Sequence, residues 1–216
     1  VHLKPDSGEI FPYRAGQFVF LRLYDLQYSP EEHPFSLISA PQDRDKVALA
    51  IKDSGDYTHP FPTLQPGVKA SVEGPHGGMW HVQEGIHDKT VSMVMFAGGI
   101  GITPMLGILE NSAYLQFPNK TVLVWSLKDR NEYGFTEKLQ AFKEKLPDFR
   151  LVPFFANESG FLDEGKIDKI LQDNEIRYEA AEYLLCGPPP FMNAVEAVLL
   201  KKGVSKDRIH YETFGL

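Results

Sequence analysis

The chain has 216 residues, 43% of them hydrophobic and 24% charged, the proportions of a soluble globular protein of one large or two small domains. That apolar share excludes a disordered chain and a disulfide-stapled miniprotein. Lys and Arg total 22 against 29 Asp and Glu, a net charge of -7 without a local basic stripe, so nucleic acid is excluded as a partner.

The first 85 residues or so read as short strands divided by Pro, Gly and Asp clusters: 1–4, 18–23, 34–39, 47–52 and 70–73. Residues 18–23, Phe-Val-Phe-Leu-Arg-Leu, alternate with a period near two, as a half-buried strand does. Five such runs at close spacing predict a small antiparallel barrel. The chain opens directly on strand-like residues, so the expectation is a piece of something larger. Val1 to Phe11 carries charges and no apolar h-region, which is not a signal-peptide pattern.

From about Asp88 the rhythm changes. Residues 91–97 form a continuous apolar run, 104–114 a helical stretch, 121–125 a second buried-type strand and 136–146 a second helix. Strands at 151–155 and 183–186 then alternate with helical spacing at 167–172 and 191–202. This alternation predicts a doubly wound parallel sheet covered on both faces. The fold class is therefore β followed by α/β, with domains at 1–87 and 88–216. Thr90 to Leu109 carries no charge, but Gly98, Gly99, Gly101 and Pro104 make it strand, turn and helix rather than a membrane span.

Two glycine turns carry the strongest signal. In Phe96-Ala97-Gly98-Gly99-Ile100-Gly101-Ile102-Thr103-Pro104 a buried strand ends, glycines let the backbone approach a ligand, and Thr103-Pro104 reads as N-cap and first helical residue. A helix start of this kind suits a pyrophosphate, although Pro104 stands where the dinucleotide fingerprint has its third glycine. A structural strand–helix turn is the other reading. The second turn is Cys186-Gly187-Pro188-Pro189-Pro190. Cys186 is the only cysteine, which excludes an internal disulfide, cysteine-ligated zinc and an iron–sulfur cluster; a buried, inert thiol is its bland reading. Weaker features are His33-Pro34-Phe35-Ser36, the turn from Lys52 through Gly55 and Tyr57 to Thr58, and Gly74-Pro75-His76-Gly77.

In their order, these pieces resemble the ferredoxin–NADP reductase superfamily across essentially the whole chain, together with Gly16-Gln17-Phe18 and the terminal Glu212-Thr213-Phe214. The His-Pro-Phe-Ser form is similar to the branch of NADPH oxidases and transmembrane ferric reductases, and to the cytosolic dehydrogenase domain of bacterial members. His33 departs from the Arg found in the plant-type pattern.

The resemblance implies an antiparallel flavin-binding barrel that holds FAD, followed by a sheet domain that holds NADPH, with NADH also accepted. Phe35, preceded by Pro34, would flank the flavin ring, and Ser36 would hydrogen-bond near the position where hydride arrives. His33, Lys52, Thr58 and the turn at Gly55–Tyr57, with Gly74, His76 and Gly77, would surround the flavin and its phosphates. Gly99, Gly101, Thr103 and Pro104 would cradle the nicotinamide cofactor, with Cys186, Gly187 and Pro188 at its reactive edge. Phe214 would stack on the flavin as a gate. Ser126 with Lys128 or Arg130 would take a 2′-phosphate, against which Asp129 counts. Ser36, Cys186 and Phe214 are the catalytic candidates, Glu212 a further proton or orientation partner, and no metal is called for.

The implied activity is hydride transfer from NAD(P)H to FAD, then single electrons to a haem in an attached membrane domain, reducing oxygen to superoxide. The chain would then sit at the cytoplasmic face of the membrane. The alternatives are a soluble flavin or ferric-chelate reductase and, from another class, a non-catalytic nucleotide-binding module that regulates a partner.

Overall fold

The computed structural model describes residues 1–25 and 27–213. Its antiparallel part comprises β1 (His2–Leu3), β2 (Phe18–Tyr24), β3 (His33–Ser36), β4 (Val47–Ala48), the one-turn helix α1 (Gly55–Thr58) and β5 (Lys69–His76). β2 lies between β3 and β5, and β1 pairs with β4. A bridge between Leu37 and Leu49, with Ile38 N–H donating to Ala48 O at 2.8 Å, joins the two sheets. The period of two in β2 has its physical counterpart here. Val19, Leu21 and Leu23 enter a core with Leu37, Val47 and Phe61, while the intervening residues face outward.

Helix α2 (Trp80–Gly85) leads into the parallel part: β6 (Ser92–Gly98), α3 (Ile102–Leu115), β7 (Thr121–Leu127), α4 (Thr136–Lys145), β8 (Phe149–Phe155), α5 (Ala156–Ser159), α6 (Glu164–Asp173), β9 (Ala181–Cys186), α7 (Pro189–Lys201) and β10 (Ile209–Glu212). The strands are all parallel, in the order β10-β9-β6-β7-β8. The uninterrupted apolar runs are explained by burial on both faces. Met93, Met95, Leu123 and Trp125 pack into the core that α3 and α4 share, whereas Val94, Phe96, Val122 and Val124 pack with residues of α6 and α7. The chain leaves β6 towards β7 and returns on its other side as β9, so the carboxyl ends of β6 and β9 form the topological switch point where such sheets bind ligands.

Three elements go beyond the sequence expectation, the one-turn helix α5 together with β10 and α2. β10 is a four-residue edge strand of mixed polarity that only its pairing with β9 defines. α2 is a short helix whose Val82 and Gln83 are buried against the rest of the molecule. The uncharged stretch at 90–109 does divide into strand, turn and helix, and no helix among the described residues is long and apolar enough to cross a membrane. A 3₁₀ turn at Gly99–Gly101 runs directly into α3. Thr103 and Pro104 therefore lie inside the first helical turn instead of capping it, and the Thr103 hydroxyl donates to Ile100 O at 3.1 Å.

Candidate active site

Both glycine turns open onto one cleft between the two parts of the molecule, with a cavity of about 490 Å³, within the usual size for small-molecule and cofactor sites. The barrel side contributes Pro34, Phe35, Ser36, Lys52 and Thr58; the sheet side contributes Gly99, Gly101, Thr103, Gly187 and Pro188. Ala50, Ile51, Ser54, Met192 and Thr213 complete the wall without having been expected there. Of these, Ile51 and Met192 supply apolar surface, a contribution carrying no sequence signature.

Close backbone packing draws the sheet-side turns together. A Cβ on Gly101 would overlap the Cys186 carbonyl, and one on Gly187 would stand 2.9 Å from the backbone of Gly98. Only glycine admits this approach of the α3 start to the β9–α7 turn.

Ser36 ends β3 with 2% of its surface exposed, and its Oγ has no hydrogen-bond partner among the described residues. A buried hydroxyl left unpaired costs about 1–3 kcal/mol, so a hydroxyl in this state on a cavity wall fits a ligand that completes it. β3 also joins an aromatic cluster: Tyr57 stacks on His33 at 3.8 Å between ring centres and more distantly on Phe35, and its hydroxyl donates to Leu21 O at 3.1 Å. His33 and Tyr57 thus pack beside Phe35 without lining the cavity themselves. The Thr58 hydroxyl is engaged with Ser54, donating to its carbonyl at 2.8 Å and accepting from its N–H at 2.7 Å.

The remaining expected residues lie off the cavity wall. Gly55 takes a positive φ at the start of α1. His76, between Gly74 and Gly77, packs its ring against Phe18 and Phe20. Ser126 pairs in register with Gly98 near the end of β7, and Lys128 and Arg130 follow it at the sheet's carboxyl rim. Lys52, on the cavity wall, forms an ion pair with Glu132 at 3.0 Å. Arg130 is held by Glu158. Phe214 lies outside the described residues.

Cys186 is fully buried, and desolvation, with a smaller contribution from the charge of Glu212, pushes its thiol well above the ordinary range. It is a neutral thiol, without nucleophilic character. Glu212 lies opposite Cys186 in the β10–β9 ladder, with 8% of its surface exposed and Oε2 unpaired among the described residues. Burial pushes its carboxyl up to about 7. A Cβ on Gly77 would stand 2.9 Å from that oxygen, so the turn at Gly77 forms part of the lid over Glu212.

Residues 1–78 match the FAD-binding domain family, and residues 95–197 match the Oxidoreductase NAD-binding domain family. The chain belongs to the ferredoxin–NADP+ reductase superfamily. It is an NAD(P)H- and FAD-dependent oxidoreductase with an FAD-binding antiparallel domain and a parallel-sheet nucleotide-binding domain. It is 30% identical over 207 residues to the ferredoxin reductase component of 3-ketosteroid-9-alpha-monooxygenase from Rhodococcus rhodochrous, covering 94% of this chain and 56% of that protein. It is 27% identical over 226 residues to the flavohemoprotein of Bacillus subtilis, covering 99% of this chain and 55% of that one. Among solved structures, a flavohemoglobin from Malassezia yamatoensis with FAD and heme superposes with a TM-score of 0.79 at 23% identity, over 99% of this chain and 55% of that one. A ferredoxin NADP+ reductase from Neisseria gonorrhoeae with FAD and NADP superposes at 0.77 and 23% identity, over 95% of this chain and 88% of that one. The chain thus spans about half the length of the curated relatives it matches.

These findings correct the expected partner, activity and location. The relatives named above are flavohemoproteins and a ferredoxin reductase component, and no helix among the described residues is long and apolar enough to cross a membrane. A haem in an attached membrane domain, superoxide production and a place at the cytoplasmic face of a membrane are therefore withdrawn. The His-Pro-Phe-Ser sequence that suggested them forms β3, and its Pro34, Phe35 and Ser36 line the cavity.

Proposed function

We propose that the chain is the reductase module of a flavohemoprotein-like electron-transfer system, with residues 1–87 holding FAD and residues 88–216 holding the nicotinamide nucleotide. The unpaired Ser36 hydroxyl, buried on the wall opposite two glycine turns, carries this reading. The chemistry the two cofactors supply when bound is passage of a hydride from nicotinamide to flavin and release of electrons to an acceptor.

The protein's own contribution is positioning. In this reading Ser36 donates its hydrogen bond to the flavin, and Phe35 packs beside the ring. The glycine turns at Gly99–Gly101 and Gly187 leave room for nicotinamide and its pyrophosphate at the α3 N-terminus. Cys186 keeps the wall behind that turn apolar and uncharged. The names of the relatives, flavohemoprotein and ferredoxin reductase component, support an acceptor that is a protein-borne haem or iron–sulfur centre outside this chain.

The test is anaerobic mixing of the FAD-loaded chain with NADH or NADPH, with ferricyanide added afterwards. Bleaching of the oxidised-flavin band, then its return with ferricyanide, is expected. Persistent colour with both cofactors demonstrably bound would sink the proposal.

A further inference from the structure

The carboxyl rim of β7 lies where the adenosine end of a dinucleotide reaches in a doubly wound sheet, and its arginine is already paired with a carboxylate. Arg130 donates from Nε to Glu158 Oε1 at 2.6 Å and from Nη2 to Oε2 at 3.0 Å, so its planar fork is filled by one carboxylate. The guanidinium also lies 4.6 Å over the Phe155 ring, which fixes its plane. Asn157 N–H donates to Lys128 O at 3.0 Å, which holds the α5 turn, and Glu158 with it, against the rim.

The neighbouring charges repeat the pattern. Glu132 accepts from Lys128 N–H at 2.9 Å and from Lys52 Nζ at 3.0 Å, linking the rim to the cavity wall. These two bonds hold its carboxyl below the usual range, so it is ionised at neutral pH. Asp129 caps the following turn by accepting from Asn131 N–H at 2.8 Å. Lys52 and Arg130 are thus paired with Glu132 and Glu158, and Asp129 adds a further negative charge beside them.

Resting on the nucleotide site of the proposed function, we infer that this rim favours the nucleotide without a 2′-phosphate, NADH over NADPH, and that Glu158 sets the preference by occupying Arg130. A 2′-phosphate must displace Glu158 or share Arg130 with it, in either case while facing the negative charge of Glu158, Glu132 and Asp129. A ribose diol meets no such repulsion, and its hydroxyls find carboxylate acceptors. Of Ser126, Lys128 and Arg130, the residues whose types suggest a phosphate pocket, Arg130 is the one paired with an acid among the described residues, and Glu132 binds the backbone N–H of Lys128 beside it.

The experiment is calorimetric titration of the FAD-loaded protein with 5′-AMP and with 2′-phospho-AMP, which reads binding without turnover. In the natural chain 5′-AMP is expected to bind at least as tightly as 2′-phospho-AMP. Glu158→Gln is expected to tighten 2′-phospho-AMP roughly tenfold, on the order of 1.4 kcal/mol, and to change 5′-AMP less than twofold. The gain is expected to fade with added salt and to vanish in Glu158→Gln/Arg130→Gln. The pair is exposed, 71% at Arg130 and 41% at Glu158, and such pairs contribute little to folding, so both variants are expected to fold. Tenfold tighter binding of 2′-phospho-AMP by the natural chain, or an unchanged ratio in Glu158→Gln, overturns the inference. Failure of both nucleotides to bind removes instead the nucleotide-site reading beneath it.

Discussion

The α-carbon of Gly107, in the middle of α3, lies directly against the carbonyl of Leu37 in the barrel. A Cβ at this position would stand well under 3.0 Å from that oxygen. The first helix of the nucleotide-binding part is thereby pressed onto the strand that carries Ser36, so this contact sets how far apart the two walls of the cleft stand. Gly107→Ala is accordingly expected to destabilise the protein by about 1–3 kcal/mol through overpacking, although Gly→Ala in a helix interior ordinarily gains about 1 kcal/mol. Urea denaturation checks the sign. Gly134→Ala, with open space around it, is the control expected to change little.

Ser36→Ala separates the site from the fold. The unpaired hydroxyl costs stability in the cofactor-free protein, so its removal is expected to leave that form as stable or more stable by up to about 1 kcal/mol. Reduction of the bound flavin by nicotinamide is expected to slow roughly tenfold to a hundredfold, measured by anaerobic stopped flow. An unchanged rate would show that the hydroxyl does not meet the flavin.

Glu212 gives a pH signature. Its carboxyl rises from the ordinary 4.5 to about 7 on folding because burial disfavours the charge. The native state therefore binds more protons than the unfolded chain between these values, and stability falls as pH rises through that window. The full loss, above about pH 7, is roughly 3 kcal/mol at most. Glu212→Gln is expected to match the natural chain near pH 4.5 and to exceed it in stability at pH 8, as followed by denaturant midpoints. Parallel pH curves for the two proteins would contradict the burial argument.

A buried amide chain provides a second hold between the two parts. Gln42 Nε2 donates to Asn111 Oδ1 at 2.9 Å, Asn111 Nδ2 to Gln83 Oε1 at 2.8 Å, and Gln83 Nε2 to the Ser112 hydroxyl at 2.5 Å. Gln83→Leu is expected to cost about 1–3 kcal/mol, because it leaves the buried Asn111 amide N–H without its acceptor, while the Ser112 hydroxyl keeps its bond to Ile108 O. A double-mutant cycle with Asn111→Leu is expected to show strong coupling between the two positions. Additive losses would mean that the amides act separately.

Much of the fold was legible because its signals are local. Alternation in Phe18–Tyr24 reports one buried face, and the unbroken apolar residues of β6 and β7 report two. Glycines followed by a helical stretch mark the turns after β6 and β9. The short edge strand β10 was not legible, since His210 and Tyr211 acquire strand geometry only by bonding to β9. The expected membrane haem, drawn from His33-Pro34-Phe35-Ser36, did not hold, because residues on a cofactor cavity's wall are silent about where the electrons go next.

By itself the sequence determined the two-part plan, the two glycine turns and the chemical types gathered at the cleft, since each follows from backbone preference or from burial along a few consecutive residues. Only the tertiary structure decided which charges meet. Lys52 finds Glu132, Arg130 finds Glu158, and Glu212 finds no partner among the described residues. Gly107 likewise reads as an ordinary helix-weakening residue until Leu37 is brought against it. Coulomb energies and steric overlap depend on distance in space, and for groups far apart in the chain that distance exists only once the strands have paired and the helices have packed.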